Sequence, residues 1–129
     1  MKIEHIAIWV KDIEKVCEFY RKYFGGVVQP VYHNPAKQFT SRFLTFDEGA
    51  RLEVMHRPDI KTLPGMPGEE CIGMTHLSFS VGSKEKVDSL TQQMSNDGIQ
   101  VVGQPRTTGD GYYESVVLDP EGNRVEITV

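Results

Sequence analysis

The sequence has few of the features that mark secreted or membrane proteins. It contains two cysteines, Cys17 and Cys71, which are too few for a disulfide framework, so we expect both thiols to be reduced. No apolar run approaches the roughly 20 residues that span a bilayer, and the chain opens on a strand-like pattern instead of the apolar stretch of a signal peptide. We therefore expect a soluble, cytoplasmic protein without a membrane partner.

Basic residues are also few relative to acidic ones. The chain has 14 Lys and Arg against 18 Asp and Glu, for a formal net charge of -4, and its cations are scattered among acids. Proteins that bind a phosphate backbone usually present a clustered basic face, so nucleic acid is not an expected partner. The hydrophobic content of 39% is enough for the core of one compact domain or of two small fused modules.

What the sequence does contain is an internal repeat. The segment HIAIWV at 5–10 matches HLSFSV at 76–81 with an offset of 71 residues, and each continues into Glu-Lys-Val. The segment EGARLEV at 48–54 matches EGNRVEI at 121–127 with an offset of 73 residues. Each half thus opens with a histidine in a strand and closes with a glutamate in a strand, which indicates two copies of one structural unit.

Periodicity and turn residues predict the same order of elements in both halves. In the first half, Asp12 is predicted to cap a helix that ends at Gly25. In the second half, Ser83 and Gly98 have these roles. The predicted strands are 3–10, 27–32, 40–46 and 51–56, then 74–81, 99–104, 112–118 and 123–129. We predict an α+β fold of two tandem βαβββ modules, 1–56 and 74–129, joined by a linker 57–73 within a single domain 1–129.

Four residues with metal-ligand side chains lie at equivalent places in the repeat. Strand alternation puts His5 on the face opposite Ile6 and Ile8, and a carboxylate within an apolar strand is costly to desolvate unless it is paired, protonated or bound to a metal. Taken singly, such residues are usually solvated or hydrogen-bonded locally. Together, two imidazoles and two carboxylates suit one divalent ion, with Zn²⁺ or Ni²⁺ foremost and Co²⁺, Mn²⁺ or Fe²⁺ as further candidates. The predicted ligands are His5, Glu53, His76 and Glu126.

The other two histidines have no counterpart in the repeat. His33 is in a polar stretch, Tyr32 to Pro35, which we predict to be a loop. His56 is at the end of a predicted strand, on the face opposite Glu53. We predict both to be surface residues without a role in the metal site.

The motifs of both halves resemble those of the vicinal oxygen chelate superfamily, over the entire chain. This superfamily includes glyoxalase I, methylmalonyl-CoA epimerase, fosfomycin-resistance thiol transferases, extradiol dioxygenases and bleomycin-binding proteins. The segments that carry the resemblance are EHIAI at 4–8, VKD at 10–12, FY at 19–20, FG at 24–25, THLSF at 75–79 and DPEGNRVE at 119–126. The resemblance implies the paired-module fold.

The second ligand position distinguishes the members of this superfamily. Glyoxalase I has Glu there, epimerases have Gln, and the dioxygenases and fosfomycin enzymes use a set of three ligands, so Glu53 favours the glyoxalase type. The resemblance then implies a metal-dependent lyase or isomerase that removes a proton next to a carbonyl, with an enediolate stabilised by the ion. It implies Glu126 as the main base and Glu53 as its counterpart. It also implies a homodimer, whose sites are either shared between two chains or closed within each chain.

The residues that would bind glutathione depart from the glyoxalase I pattern. Trp9 is where that enzyme has an arginine, and Arg57 is where it has an asparagine. Trp9 is therefore either an apolar wall of the substrate pocket or a packed aromatic residue, and Arg57, Arg42 and Tyr113 are candidate polar contacts to a small-molecule substrate. The alternatives are a thiol transferase or epimerase on the same site, or a non-catalytic protein that binds a small molecule or antibiotic.

Overall fold

Two βαβββ units make up the regular structure in the computed structural model, which describes residues 1–62 and 72–129. The chain divides into the units Met1–Pro64 and Gly65–Val129. The first contains β1 (His5–Trp9), α1 (Ile13–Phe24), β2 (Val27–Val28), β3 (Tyr32–Asn34), β4 (Phe39–Thr45) and β5 (Arg51–His56). The second contains β6 (His76–Ser80), α2 (Lys84–Asn96), β7 (Val101–Thr107), β8 (Tyr113–Leu118) and β9 (Arg124–Thr128). The predicted α+β fold with two such modules is confirmed.

The stretch 27–32 is where the prediction of one continuous strand is wrong. The structure has two short strands there, β2 and β3, which pair with different parts of β4. Pro30 lies between them and has no amide hydrogen to donate to a neighbouring strand, which explains the interruption. His33, predicted to be in a loop, is instead in β3, and its Nδ1 is 2.9 Å from Thr40 Oγ1.

The two sheets share one strand order. The first runs β1-β5-β4-β2, with β3 also on β4, and the second runs β6-β9-β8-β7. In both, the strand that opens the unit is parallel to the strand that closes it, and the remaining pairs are antiparallel. The repeat in the sequence therefore places its histidine strand and its glutamate strand side by side in each unit.

The helices begin at the predicted residues. The Asp12 carboxylate accepts a hydrogen bond from the Lys15 backbone amide at 3.0 Å, and the Ser83 hydroxyl accepts one from the Lys86 amide at 3.3 Å. Gly25, at φ 68°, ends α1 in the left-handed region that glycine adopts without steric cost. Among the residues described, no helix is long and apolar enough to cross a membrane.

Each helix covers one face of its own sheet. In the first unit, Val16 and Tyr20 of α1 are fully buried, as are Leu44 of β4 and Val54 of β5. The buried apolar residues of the second unit include Val87, Met94, Val117, Val125 and Ile127. Because strand residues alternate between faces, burial of Leu44 and Val54 under the helix leaves Phe43 and Glu53 on the other face.

Replacing Leu44 by alanine should destabilise the protein by about 2–5 kcal/mol, because it opens a cavity in a fully buried part of the core. Urea unfolding measures this change in the free energy of unfolding. The matched control is Val27→Ala in β2, since Val27 is 60% exposed and its truncation should change stability by no more than about 0.5 kcal/mol. Equal effects of the two substitutions would contradict the assignment of Leu44 to the core.

Cys17 is a free, buried thiol in α1. Burial raises its pKa to about 11, and the negative charge of Glu14 acts in the same direction. Because only the thiolate attacks a disulfide reagent, Cys17 should stay almost unreactive at pH 8 and react once the chain is unfolded. Cys71 lies outside the described residues, so the measurement is made with a thiol-reactive dye on a Cys71→Ser variant. A fast native reaction would show that Cys17 is accessible.

Candidate functional site

His5 and Glu53 form a pair on the open face of the first sheet. Strand β1 is in parallel register with β5 so that Ala7 lies opposite Glu53, which puts His5 diagonally next to that carboxylate on the same face. His5 Nε2 is 4.0 Å from Glu53 Oε2. The Glu53 side chain is 15% exposed and that of His5 is more open, so the pair is accessible from one side.

Glu4 orients the His5 ring. His5 Nδ1 donates to Glu4 Oε2 at 2.5 Å, and Arg51 forms an ion pair with the other oxygen of Glu4. The hydrogen bond from His5, with help from Arg51, holds the pKa of Glu4 below its ordinary value. With Nδ1 paired to Glu4, Nε2 is the ring nitrogen that faces Glu53. This is the arrangement in which histidines coordinate metals, with the second nitrogen held by a carboxylate.

His76 and Glu126 form the equivalent pair in the second unit. Ser78 of β6 lies opposite Glu126 of β9, and His76 Nε2 is 3.4 Å from Glu126 Oε2. The Ser78 hydroxyl donates to Glu126 Oε1 at 2.6 Å. Ala7 occupies the equivalent place in the first unit and has no hydroxyl, so Glu126 has a neutral donor from its neighbouring strand that Glu53 lacks.

A further carboxyl group, Glu114, lies on the same face as Glu126. Burial raises the pKa of Glu114, and the negative charge of Glu126 raises it further, while Arg106, whose Nη2 is 3.6 Å from Glu114 Oε1, acts in the opposite direction. By strand register the equivalent of Glu114 in the first unit is Ser41. The sequence carries no repeat signal for Glu114, because the equivalent position in the first unit is a serine.

The two pairs are suited to metal binding as halves of a site. In a tetrahedral site with ligand bonds of about 2.1 Å, neighbouring donor atoms are roughly 3.4 Å apart. The 3.4 Å and 4.0 Å separations of the two pairs are close to this value. Within either unit, as far as the structure describes it, no third His, Cys, Asp or Glu completes a metal-binding group. A complete set of His5, Glu53, His76 and Glu126 therefore requires one pair from each kind of unit.

Trp9 and Arg57 meet at a cavity in the first unit. The Arg57 guanidinium lies over the indole ring of Trp9, 5.5 Å from its centroid. Trp9 is in register with Met55, which shares the sheet face of Glu53. The cavity has a volume of about 330 Å³ and is lined by Trp9, Tyr32, Asn34, Lys37, Phe39, Met55 and Arg57.

Arg42 and Tyr113, also predicted to contact the substrate, are on the helix-facing side of their sheets. Arg42 Nε donates to Glu14 of α1 at 2.8 Å. Tyr113 donates its hydroxyl to Asp88 of α2 at 2.7 Å, and this hydrogen bond raises the pKa of Tyr113. The structure thus does not bring either side chain to the sheet face that carries the histidine and glutamate of its unit.

His56, which we predicted to be a surface residue, is half-buried. Its Nδ1 donates to the Val10 carbonyl at 2.9 Å, and this bond ties the end of β5 to the end of β1. The position has a local structural role and is not beside Glu53.

Proteins similar to this chain are found among both sequences and solved structures. An uncharacterized protein from Bacillus subtilis, YqjT, is 24% identical over 129 residues, which is 97% of this chain and 96% of the relative. The structure of a glyoxalase family protein from Enterococcus faecalis is 25% identical, with a TM-score of 0.78 over 99% of this chain and 97% of that one.

Two structures described as glyoxalase I have the same fold at lower identity. A glyoxalase I mutant from Zea mays is 18% identical, with a TM-score of 0.79 over 98% of this chain and 44% of that one. The trypanothione-dependent enzyme of Leishmania major is 19% identical, with a TM-score of 0.76 over 99% of this chain and 86% of that one. The model of the Glyoxalase/Bleomycin resistance protein/Dioxygenase superfamily matches residues 2–127. With that match over nearly its whole length, and with its histidine and glutamate strands paired in both units, the chain belongs to this superfamily.

Proposed function

We propose that the protein is a metal-dependent lyase or isomerase of the glyoxalase I type, acting on a small substrate that presents two adjacent oxygens. The observation that carries this proposal is the occurrence, in both units, of a histidine and a glutamate side by side on an open sheet face. A binding module without chemistry would need no such duplicated set. Superfamily members with three ligands lack a carboxylate at the position of Glu53, which favours the redox-neutral type.

Under this proposal His5, Glu53, His76 and Glu126 hold one divalent ion. The ion would act as a Lewis acid, polarising the substrate oxygens and stabilising the negative charge that develops on them. Two imidazole nitrogens and two carboxylate oxygens fit Zn²⁺ or Ni²⁺, and Co²⁺, Mn²⁺ and Fe²⁺ also accept this set. The half-exposed imidazoles leave one side of each pair open to a substrate.

Glu126 is the proposed base. Its Oε1 is held by the Ser78 hydroxyl, so its Oε2 remains on the side of His76, where the substrate would bind. Glu126 would take a proton from the substrate carbon next to the carbonyl, and the proton would then be returned to the neighbouring carbon. This transfer is an internal isomerisation that needs no oxidant or reductant. Glu53, with no hydroxyl donor at Ala7, is the counterpart across the site.

We further propose a homodimer in which each site combines His5 and Glu53 of one chain with His76 and Glu126 of a second copy. Each unit supplies half of a coordination set. A two-fold symmetric pair of chains completes two such sets at once, because each chain offers one half of each kind.

Light scattering at micromolar concentration should give the mass of two chains, and a monomer with full metal occupancy would contradict the shared site.

The protein as purified should contain about one divalent ion per chain, since all four ligands are present. Replacing His5 or His76 by alanine should lower the metal content to near zero, as measured by inductively coupled plasma mass spectrometry. His33→Ala is the matched control, because His33 is on β3 and contacts Thr40, and it should keep the metal. Retention of the ion in both ligand variants would refute the proposed ligand set.

The protein should be a poor glutathione-dependent glyoxalase. Trp9 is in the place of the glyoxalase I arginine and cannot form that residue's charge-assisted hydrogen bond to a glutathione carboxylate. Loss of this bond corresponds to roughly a tenfold to hundredfold decrease in kcat/KM. Arg57 compensates little, because its Nε is already paired with Asp59 at 2.5 Å. Turnover of the methylglyoxal hemithioacetals of glutathione, cysteine and coenzyme A tests this, and the thiol transferase and epimerase alternatives can be assayed on the same preparation. A kcat/KM for glutathione of about 10⁶ M⁻¹s⁻¹ or more would contradict the prediction.

A further inference from the structure

We propose that the cavity between Trp9 and Lys37 binds a flat organic anion: a carboxylate attached to an aromatic or other planar apolar group. Only one part of this proposal rests on the proposed function, namely that the bound anion is the substrate of the enzyme. Binding itself depends on residues of the first unit and on no metal ligand.

The walls of the cavity suit a planar apolar group. Trp9 and Phe39 meet edge to face with ring centroids 6.0 Å apart, and Phe39 and Tyr32 are 6.1 Å apart. Trp9 is 41% exposed and Tyr32 is 56% exposed, so both rings keep open surface. Aromatic rings that converge from β1, β3 and β4 around an open volume stack readily against a flat ligand.

The rim of the cavity favours an anion. Its lining contains two cations, Lys37 and Arg57, and no acidic residue. The charge of Arg57 is partly matched by Asp59, whereas no carboxylate in the described parts of the chain, 1–62 and 72–129, lies within 4.0 Å of the Lys37 ammonium. Lys37 therefore supplies the unmatched positive charge that a carboxylate would neutralise.

The local backbone holds Lys37 at this rim. A 3₁₀ turn, Pro35–Lys37, is capped by Asn34, whose side chain accepts a hydrogen bond from the Lys37 amide at 3.2 Å. Gln38 follows at φ 49°, in the left-handed region that non-glycine residues seldom adopt. The chain turns sharply there into β4, and the turn fixes where the Lys37 side chain leaves the backbone.

The cavity lies on the same sheet face as the first metal-ligand pair. Trp9 is opposite Met55 in the register, and Ala7 is opposite Glu53 two residues away along the strands. That separation is roughly 7 Å at the usual rise of a strand. A volume of about 330 Å³ accommodates a substituted ring and leaves the reactive end of the molecule free to extend towards His5 and Glu53.

Trp9 is the only tryptophan of the chain, so its fluorescence reports directly on the cavity. We would titrate the purified protein with 3-phenylpropionate, with the neutral 3-phenylpropionamide and with the cationic 3-phenylpropylammonium, exciting at a wavelength selective for tryptophan. The proposal requires a saturable fluorescence change with the acid and binding at least tenfold weaker for the amide and the amine. Equal binding of acid and amide, or no saturable change, would overturn it.

Two variants make the test specific. Lys37→Gln should weaken binding of the acid by about tenfold or more and leave binding of the amide unchanged. Lys15→Gln, at an exposed position of α1, should alter neither affinity. An unchanged affinity for the acid in Lys37→Gln would refute the proposal. The titration is repeated with His76→Ala, which leaves the cavity intact. Binding that persists without metal supports the cavity even if the proposed enzyme activity fails, and binding that disappears shows that the acid was bound by the metal instead.

Discussion

Replacing Glu126 by glutamine is expected to lower turnover by a factor of about 10² to 10⁴, because the amide cannot accept the substrate proton and a positioned base contributes that much to a rate. The free energy of unfolding should change far less, since Glu126 is half-buried on an open face and not part of the core. The measurement is kcat at saturating substrate with metal content determined on the same sample. This separates loss of the base from loss of the ion.

Glu53→Gln is the matched comparison for the role of Glu126. It removes the equivalent carboxylate from the other half-site and leaves the Ser78 hydrogen bond to Glu126 intact. We expect a smaller loss of kcat than in Glu126→Gln at equal metal occupancy. If the two variants were equally impaired, the assignment of a single main base would be wrong. If Glu126→Gln kept nearly full activity, Glu126 would not be the base at all.

The Ser78 hydroxyl gives a finer test of the difference between Glu126 and Glu53. Ser78→Ala makes the second half-site resemble the first, where Ala7 is in the equivalent place. Glu126 would then keep His76 as a neighbour and lose the donor that holds Oε1. We expect kcat to fall by much less than in Glu126→Gln, with metal content retained. A loss of metal would instead indicate that Ser78 positions Glu126 for binding the ion.

The two histidine–glutamate pairs were predictable because the repeat and strand alternation act together. Once His5 and His76 are aligned, the glutamates at 53 and 126 must share their strand order and face in both units. Strand order and alternation are properties of the backbone and do not depend on side-chain rotamers. The helices were predictable for a similar reason, since Asp12 and Ser83 are local capping signals that depend on few distant contacts.

The remaining positions depend on information that a single sequence does not contain. Arg42 is on the helix side of β4 because Phe43 is opposite Glu53, a register set by the whole hairpin. Glu4 precedes β1, so strand alternation did not apply to it, and it turns towards His5. Lys37 reaches the cavity through the turn that follows the interruption at Pro30.

The prediction that both modules form a single domain stays a prediction.

Mixing two inactive variants should restore metal binding and turnover. His5→Ala impairs the first kind of half-site and His76→Ala the second, so each variant alone should bind little metal and turn over no substrate. In a shared-site dimer, a mixed pair contains one site with both defects and one site with none, because the intact halves come from opposite chains. Random exchange of subunits should therefore restore about one quarter of the wild-type sites.

No such recovery is possible if each chain closes its own site, because every chain in the mixture then carries one missing ligand. The experiment mixes the variants at equal concentration under mild denaturation, refolds them with metal, and compares metal content and turnover with each variant refolded alone. His5→Ala mixed with Glu53→Ala is the control, since each change removes a proposed ligand of the first unit and every mixed dimer then has two damaged sites. Recovery in the first mixture and not in the second would establish the shared site. Only a site that joins His5 and Glu53 of one chain to His76 and Glu126 of another predicts a different recovery in the two mixtures. A protein active as a monomer would show recovery in neither.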